Sequence, residues 1–399
     1  MFALRAPHAF DGTRFLPGGA TVLVDGERIA GVEAYDFAVP DGCEVTSYDG
    51  TLLPGLVDAH VHLVSDAGIG SLERVGGLTP EEVDAEIRRS LVAQAAKGVT
   101  TVRDLGDIGY RTLGFRDRRT PGEPRIVAAG PPITTPAGHC HFLGAVASGP
   151  DEIRAAVQEH RDRGVDVIKV MASGGFLTPG TDMLGAQYEP SDLQVLVDAA
   201  HDVGLRVLAH AHSVRGIEAA LAGGVDGIEH FTGICEDGSV LSDDLLERVA
   251  AAGVHVDPTM GSDLSLVGTL PPPPPQVAEI MARMNLDPLT FFTARFAQVG
   301  RMRELGVRVV PGVDAGAMPL KAHGNAWIAV TDLVTGGWPV DEALAAGTSG
   351  AADACGVGEV TGRLVADHDA DLLVVQGDVA DDVKALGRTE AVVVRGTRV

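Results

Sequence analysis

The chain of 399 residues is 45% hydrophobic yet has no apolar run long enough to span a bilayer, which excludes a membrane-spanning helix and leaves material for a large core. Its formal net charge of −24 comes from acidic residues scattered through helical segments, which argues against binding phosphate backbones and so against a nucleic-acid partner. Four isolated cysteines (Cys43, Cys140, Cys235, Cys355) suit reduced thiols, and the first residues lack a secretory leader, so the expected location is the cytoplasm.

In chain order, residues 1 to about 52 read as short antiparallel strands, with a hairpin-like Asp25-Gly26 inside "ATVLVDGERIAGVEA". "LLPGLVDAHVHL" then opens the first of eight apolar runs, near 53–61, 99–105, 125–130, 165–172, 205–211, 225–230, 254–259 and 307–314. Six share one junction: "KGVTTVRD", "RGVDVIKV", "VGLRVLAH", "GGVDGIEH", "AGVHVDPT" and "LGVRVVPG". Glycine just past a helix end supplies a left-handed cap, and the apolar run after it is a buried strand. Between the runs, stretches such as "TPEEVDAEIRRSLVAQAAK" and "DEIRAAVQEHRDR" repeat apolar residues at helical spacing.

Eight alternating units predict an α/β fold, a (β/α)8 TIM-like barrel, which needs about 250 residues. A doubly wound open sheet would use the same units. The proline run at 271–275 reads as a stiff loop, either a pocket wall or a spacer. From about 357, "ADLLVVQGD" and "AVVVRGTRV" are strand-like again. The expected division is a small β-sandwich from 1–52 and 357–399, packed beside a barrel of 53–356.

Chemistry in such a barrel sits at the carboxyl ends of the strands. Those ends carry His60, His62, Lys169, His210, His230 and Asp314. Alternate strand residues share a face roughly 6 to 7 Å apart, so one metal ion can take a nitrogen from both His60 and His62. A lone His-x-His triplet is also a common chance occurrence. Lys169, in "VIKVMASGG", is a cation in an apolar strand. Burial favours its neutral amine, which can add carbon dioxide to give a carbamate with two ligand oxygens. The alternative is an ion pair with a carboxylate; four histidines and an aspartate at matching strand ends favour the carbamate.

With these residues in place, the sequence resembles the amidohydrolase superfamily, in its branch of imidazolonepropionase-like proteins and Xaa-Pro dipeptidases. "GLVDAHVHL", "GVTTVRDLG", "IKVMASGG", "LAHAHS", "GIEH" and "PGVDAG" occur in family order across the chain. The resemblance implies two divalent metal ions: His60, His62 and Asp314 hold one, His210 and His230 the other, and carboxylated Lys169 bridges them. His210 rather than His212 matches the family ligand. The nitrogen-rich set points to zinc, with manganese, iron or cobalt as alternatives. The implied activity is hydrolysis of a C–N bond in a small molecule, a dipeptide or N-acyl amino acid, by a metal-bridged hydroxide with Asp314 as proton shuttle. His212 and His139 are the expected oxyanion or substrate-carboxylate contacts.

The remaining candidates carry weaker expectations. Tyr188 is a substrate-contact candidate that otherwise precedes a helix cap at Ser191. His139 and His141 flank Cys140 in a glycine-containing loop, where binding and structural roles weigh evenly and Cys140 reads as a bystander. Arg103 and Asp104 read as a structural pair, and His8, His160, His201, His255 and His368 as donors to backbone carbonyls. Two other functions compete. A one-metal deaminase of a small heterocycle would carry a glutamate three residues after the fifth-strand histidine, where Ser213 stands. A metal-dependent binder without turnover would not need all six ligand positions. Oligomeric state stays open, a homo-oligomer included.

Overall fold

The computed structural model describes residues 1–178, 180–273, 275–283 and 287–399. Eight short parallel strands alternate with helices: β1 (Leu56–Val61), β2 (Val99–Asp104), β3 (Arg125–Ala128), β4 (Val167–Met171), β5 (Arg206–Ser213), β6 (Gly227–Cys235), β7 (His255–Asp257) and β8 (Arg308–Val309). All six junction glycines (Gly98, Gly164, Gly204, Gly224, Gly253, Gly306) have φ between 70° and 81°, the left-handed turn that lets a helix end and a strand begin. The predicted helix is found at Pro80–Ala95, and it starts on a capping box between Thr79 and Glu82.

The strands form two parallel sheets, β1–β2–β3 and β4 through β8. The Ile133 amide donates to the Lys169 carbonyl at one seam, and the Asp314 amide to the His60 carbonyl at the other, each at 2.8 Å. Neither seam extends into a ladder. Pro131 and Pro132 precede the first and Pro311 the second, and proline has no N–H to donate. The result is a TIM-barrel-like α/β fold. Inside it, Val57, Ala59, Val127, Val167, Leu208 and Val310 pack on the helix Ala351–Ala354, which covers the amino-terminal end. Burying each such aliphatic side chain contributes about 1.5 to 3 kcal/mol.

Strands from the two chain ends share a sheet: Gly50–Pro54 pairs antiparallel with Leu372–Gln376 and parallel with His8–Phe10. A second sheet holds Phe2–Ala6, Ala20–Asp25, Arg28–Ala34 and Glu44–Ser47, with the expected tight turn after Asp25. Leu4, Val22 and Ile29 of the second pack with Leu52, Leu372 and Val374 of the first. One boundary moves. Leu53 and Pro54, expected in the first barrel strand, pair instead with Leu373 and Leu372. The switch falls at Gly55, where a Cβ would lie 2.2 Å from the Thr100 side chain, so the chain can pass from sheet to barrel only without one.

Candidate metal centre

A cavity of about 740 Å³ opens at the carboxyl ends of the strands, and its floor carries all six expected ligands together with His212 and His139. β1 delivers His60 and His62, β4 Lys169, β5 His210 and His212, β6 His230, and the segment after β8 Asp314. His230 and Asp314 sit at φ 67° and 65°, strained for non-glycine residues and typical of functional strand ends.

The ligand-type atoms that line the cavity fall into two groups: His60, His62 and Asp314 have theirs within 4.8 Å of one another, and so do His210, His212 and His230. A third such group joins His60 to Glu229 and Asp257, which do not line the cavity. The Asp314 carboxylate lies 3.1 Å from His62 Nε2 and 3.6 Å from His60 Nε2. The His60 and His230 rings, one from each group, are 5.2 Å apart. Lys169 is 1% exposed, and its Nζ has no hydrogen-bond partner among the described residues.

Outer contacts orient these side chains. His62 Nδ1 donates to the Gly106 carbonyl at 3.1 Å, leaving Nε2 free to ligate. His60 Nδ1 lies 2.8 Å from the Glu229 carboxylate, whose other oxygen is 3.2 Å from Arg103. His212 Nδ1 meets the Thr232 hydroxyl at 2.8 Å, and His230 Nδ1 that of Thr259 at 3.1 Å.

Burial, helped by the Lys169 charge, pushes His60 down to about 4, and burial drives His210, His212 and His230 well below the ordinary histidine value. Neutral imidazole is the form that binds metal. Against the upward push of burial, the hydrogen bond from His62 and the charges of both histidines hold the Asp314 carboxyl well below its usual range. Burial also lowers the Lys169 ammonium, and its unpartnered nitrogen is what carbamate formation needs. Only His62 is raised, because against the downward push of burial its hydrogen bond to Asp314 and that carboxylate's charge favour the proton. The donor set still fits metal ions: four imidazoles kept neutral by burial, an ionised carboxylate on His62, and an orphaned amine in the same cavity.

His139 lies on the cavity wall, its ring 4.5 Å from that of His210. Cys140 also lines the cavity; burial pushes its thiol up to about 12, which suits the bystander expected. His141 is exposed and outside the lining. Pro271, Pro272 and Pro273 line the cavity wall, while Pro274 of the same run lies outside the described residues.

Three expectations need correction. Tyr188 does not face the cavity: it is 3% exposed and its hydroxyl donates to the Ala147 carbonyl at 2.7 Å, while the helix after it is capped at Glu189. Arg103 and Asp104 do not pair, because neighbours on a strand point to opposite faces. Arg103 reaches Glu229, and Asp104 accepts from the Leu63 amide at 2.8 Å. Of the histidines expected on backbone carbonyls, His160 Nε2 meets that of Pro131, whereas His8 and His201 pair with Asp378 and Asp226.

Sequence reasoning missed two buried cations on the cavity wall. Lys321 Nζ donates to the Thr259 and Val313 carbonyls, both at 2.7 Å, which leaves a third N–H. Arg295 donates to the carbonyls of His230, Phe231 and Pro258. Both stand outside the strand-end motifs, so spacing carried no signal for them.

Fold and site together define a barrel-like protein with a histidine cluster at its carboxyl-terminal face whose donor atoms could hold metal ions. Residues 51–399 match the family model described as the amidohydrolase family. The chain belongs to that family.

Ochratoxinase from Aspergillus niger is 30% identical over 207 residues, covering 45% of this chain and 43% of that protein. The chain thus spans under half the length of that curated relative. Imidazolonepropionase from Stenotrophomonas maltophilia is 26% identical over 360 residues, covering 83% of this chain and 78% of that protein. A crystal structure of a Xaa-Pro dipeptidase with bound methionine in the active site superposes with a TM-score of 0.86 over 100% of this chain and 99% of that one, at 24% identity, which is likeness of fold.

Proposed function

We propose that the chain is a metal-dependent hydrolase that cleaves the C–N bond of a small amide, a dipeptide or an N-acyl amino acid. The observation that carries this reading is the unpartnered, buried Lys169 amine, which lines the same cavity as two groups of ligand-type atoms. His60, His62 and Asp314 would hold one divalent ion, His210 and His230 the other, and carboxylated Lys169 both; the nitrogen-rich donors favour zinc. When bound, such ions acidify water and polarise a carbonyl.

The chain's own groups supply the rest. The Asp314 carboxylate takes a proton from the attacking water and passes it to the departing nitrogen. It starts ionised, as its lowered pKa requires. The neutral rings of His212 and His139 offer N–H donors to the developing oxyanion. Lys321, with a donor to spare, meets a substrate carboxylate, and Phe176, Phe291 and Phe292 give the cavity an apolar wall for the acyl part. The deaminase alternative is weakened by Ser213, whose hydroxyl is occupied with the Gly185 carbonyl and the Gly216 amide.

We read the two parallel sheets as one (β/α)8 barrel over residues 56–356, and the end sheets, from 1–54 and 357–399, as a β-sandwich. The partner is a small molecule, and the expected location is the cytoplasm.

Elemental analysis tests the centre. Protein purified without chelator and with bicarbonate should carry about two metal ions per chain, falling in Lys169→Ala, and should hydrolyse members of a panel of dipeptides and N-acyl amino acids. About one ion per chain, unchanged in Lys169→Ala, would refute the bridge.

A further inference from the structure

A second cavity of about 570 Å³ lies at the other end of the barrel. Its wall is built where strands begin, from Arg125 of β3, Val167 of β4 and Arg206 of β5, and is completed by Cys355 just after the helix Ala351–Ala354. Its charge is opposite to that of the molecule. In a chain with 55 acidic against 31 basic side chains, this cavity is lined by Arg103, Arg116, Arg119, Arg125, Arg206 and Arg395, with only three acidic residues beside them.

Internal pairing accounts for part of this charge. Arg116 bonds to Asp117 and Asp166, Arg125 contacts Asp369, Arg103 reaches Glu229, and the exposed Arg119 lies 3.7 Å from Glu27. Arg206 and Arg395 have no carboxylate within 4.0 Å among the described residues. The Arg206 guanidinium donates to the Ala354 carbonyl at 3.1 Å, and that of Arg395 to the carbonyls of Thr120 and Glu123 at 2.9 and 3.2 Å. Arg395 is only 6% exposed, and although the charges of Asp371 and Glu27 act on it, burial outweighs them and lowers its pKa, so a guanidinium without a carboxylate in contact is costly here. Arg125 Nε is also buried with no partner.

Guanidinium forks match planar or tetrahedral oxyanions, and ligand cavities of about 300 to 1,000 Å³ enclose whole small molecules. We propose that this lower cavity is a binding site for a small organic anion bearing phosphate or carboxylate groups. It serves binding rather than chemistry. The one thiol in its wall, Cys355, is pushed up to about 11 by burial, and no histidine lines it among the described residues. The site is separate from the histidine cavity and does not depend on what that cavity hydrolyses.

Calorimetric titration of the full-length, metal-loaded protein with inorganic phosphate and, separately, succinate tests it, and the two titrants distinguish a phosphate from a carboxylate ligand. At least one should bind saturably. Arg206→Glu should weaken that binding tenfold or more at unchanged metal content, while Arg206→Lys should lose less. Arg119→Glu, whose exposed side chain stands at the rim, repeats the test should the strand position prove sensitive. Absence of saturable binding with either anion, or unchanged affinity in both glutamate variants, which would move the bound anion to the metal centre, overturns the proposal.

Discussion

Glu229 shows how one buried side chain serves two neighbours. Its carboxylate lies 2.8 Å from His60 Nδ1 and 3.2 Å from Arg103, and none of the three is more than 1% exposed. Burial alone would raise its pKa, but Lys169 and Arg103 hold it ionised. Glu229→Gln keeps the shape and removes the charge, leaving Arg103 buried without its carboxylate. Stability should fall by about 3 to 5 kcal/mol, the cost of breaking a buried pair. Metal affinity should fall about 10- to 100-fold as His60 loses its orienting contact. Urea unfolding and competitive chelation measure the two, and a variant with native metal affinity would show that His60 is held by its strand alone. Glutamate 229 was visible in "GIEH" only as the residue before a histidine. Its role depends on Arg103 arriving from another strand, which no local pattern encodes.

At the scale of elements, the helix-to-strand junctions were the most legible feature of the sequence. They rest on local backbone geometry, a left-handed glycine followed by an apolar strand, and all six have that geometry. The eight runs were legible for the same reason, since parallel strands are buried on both faces and read as continuous apolar stretches. The ends of these runs were less so. The first run spans two strands of different sheets because nothing in "LLPGLVD" marks the crossing except Gly55, whose need for close approach to Thr100 is a tertiary fact. The junction glycines also differ in what surrounds them. A Cβ on Gly253 meets nothing within 4 Å, whereas on Gly98 it would lie 2.6 Å from Leu373. Gly253→Ala should therefore cost only the left-handed strain, about 1 to 2 kcal/mol. Gly98→Ala should cost more, because Leu373 must move in the sheet that joins the chain ends. Denaturant midpoints of the two variants decide it, and equal losses would mean that backbone strain is the whole cost at both sites.

For the whole molecule, the barrel interior is divided into two layers of opposite chemistry. Toward the amino ends, Val57, Val127, Val167, Leu208 and Val310 form an apolar plug. Toward the carboxyl ends the same interior holds His60, Lys169, Glu229 and Asp257, with Arg103, which also borders the lower cavity, reaching Glu229, all buried. The continuous apolar runs announced strands buried on both faces, and the family-order motifs announced which of their end residues to expect at the cavity. Sequence could not show how the polar layer is satisfied, since its partners come from β1, β2, β4, β6 and β7 at once. Lys169 stands out because its amine has no partner among the described residues, the kind of local conflict that folds keep at functional sites. It follows that the metal-free protein carries a stability cost at this position. Lys169→Met, similar in length and without the amine, should make the chelator-treated protein more stable by about 1 to 3 kcal/mol, the usual cost of a buried unsatisfied polar group. With metal and bicarbonate restored, the proposed bridge predicts that the order reverses, because only the native chain would gain binding free energy there. Unfolding curves of both proteins in both states test the pair of signs. A metal-free Lys169→Met that is less stable than the native chain would mean that Lys169 holds the polar layer together in its own right, independent of metal.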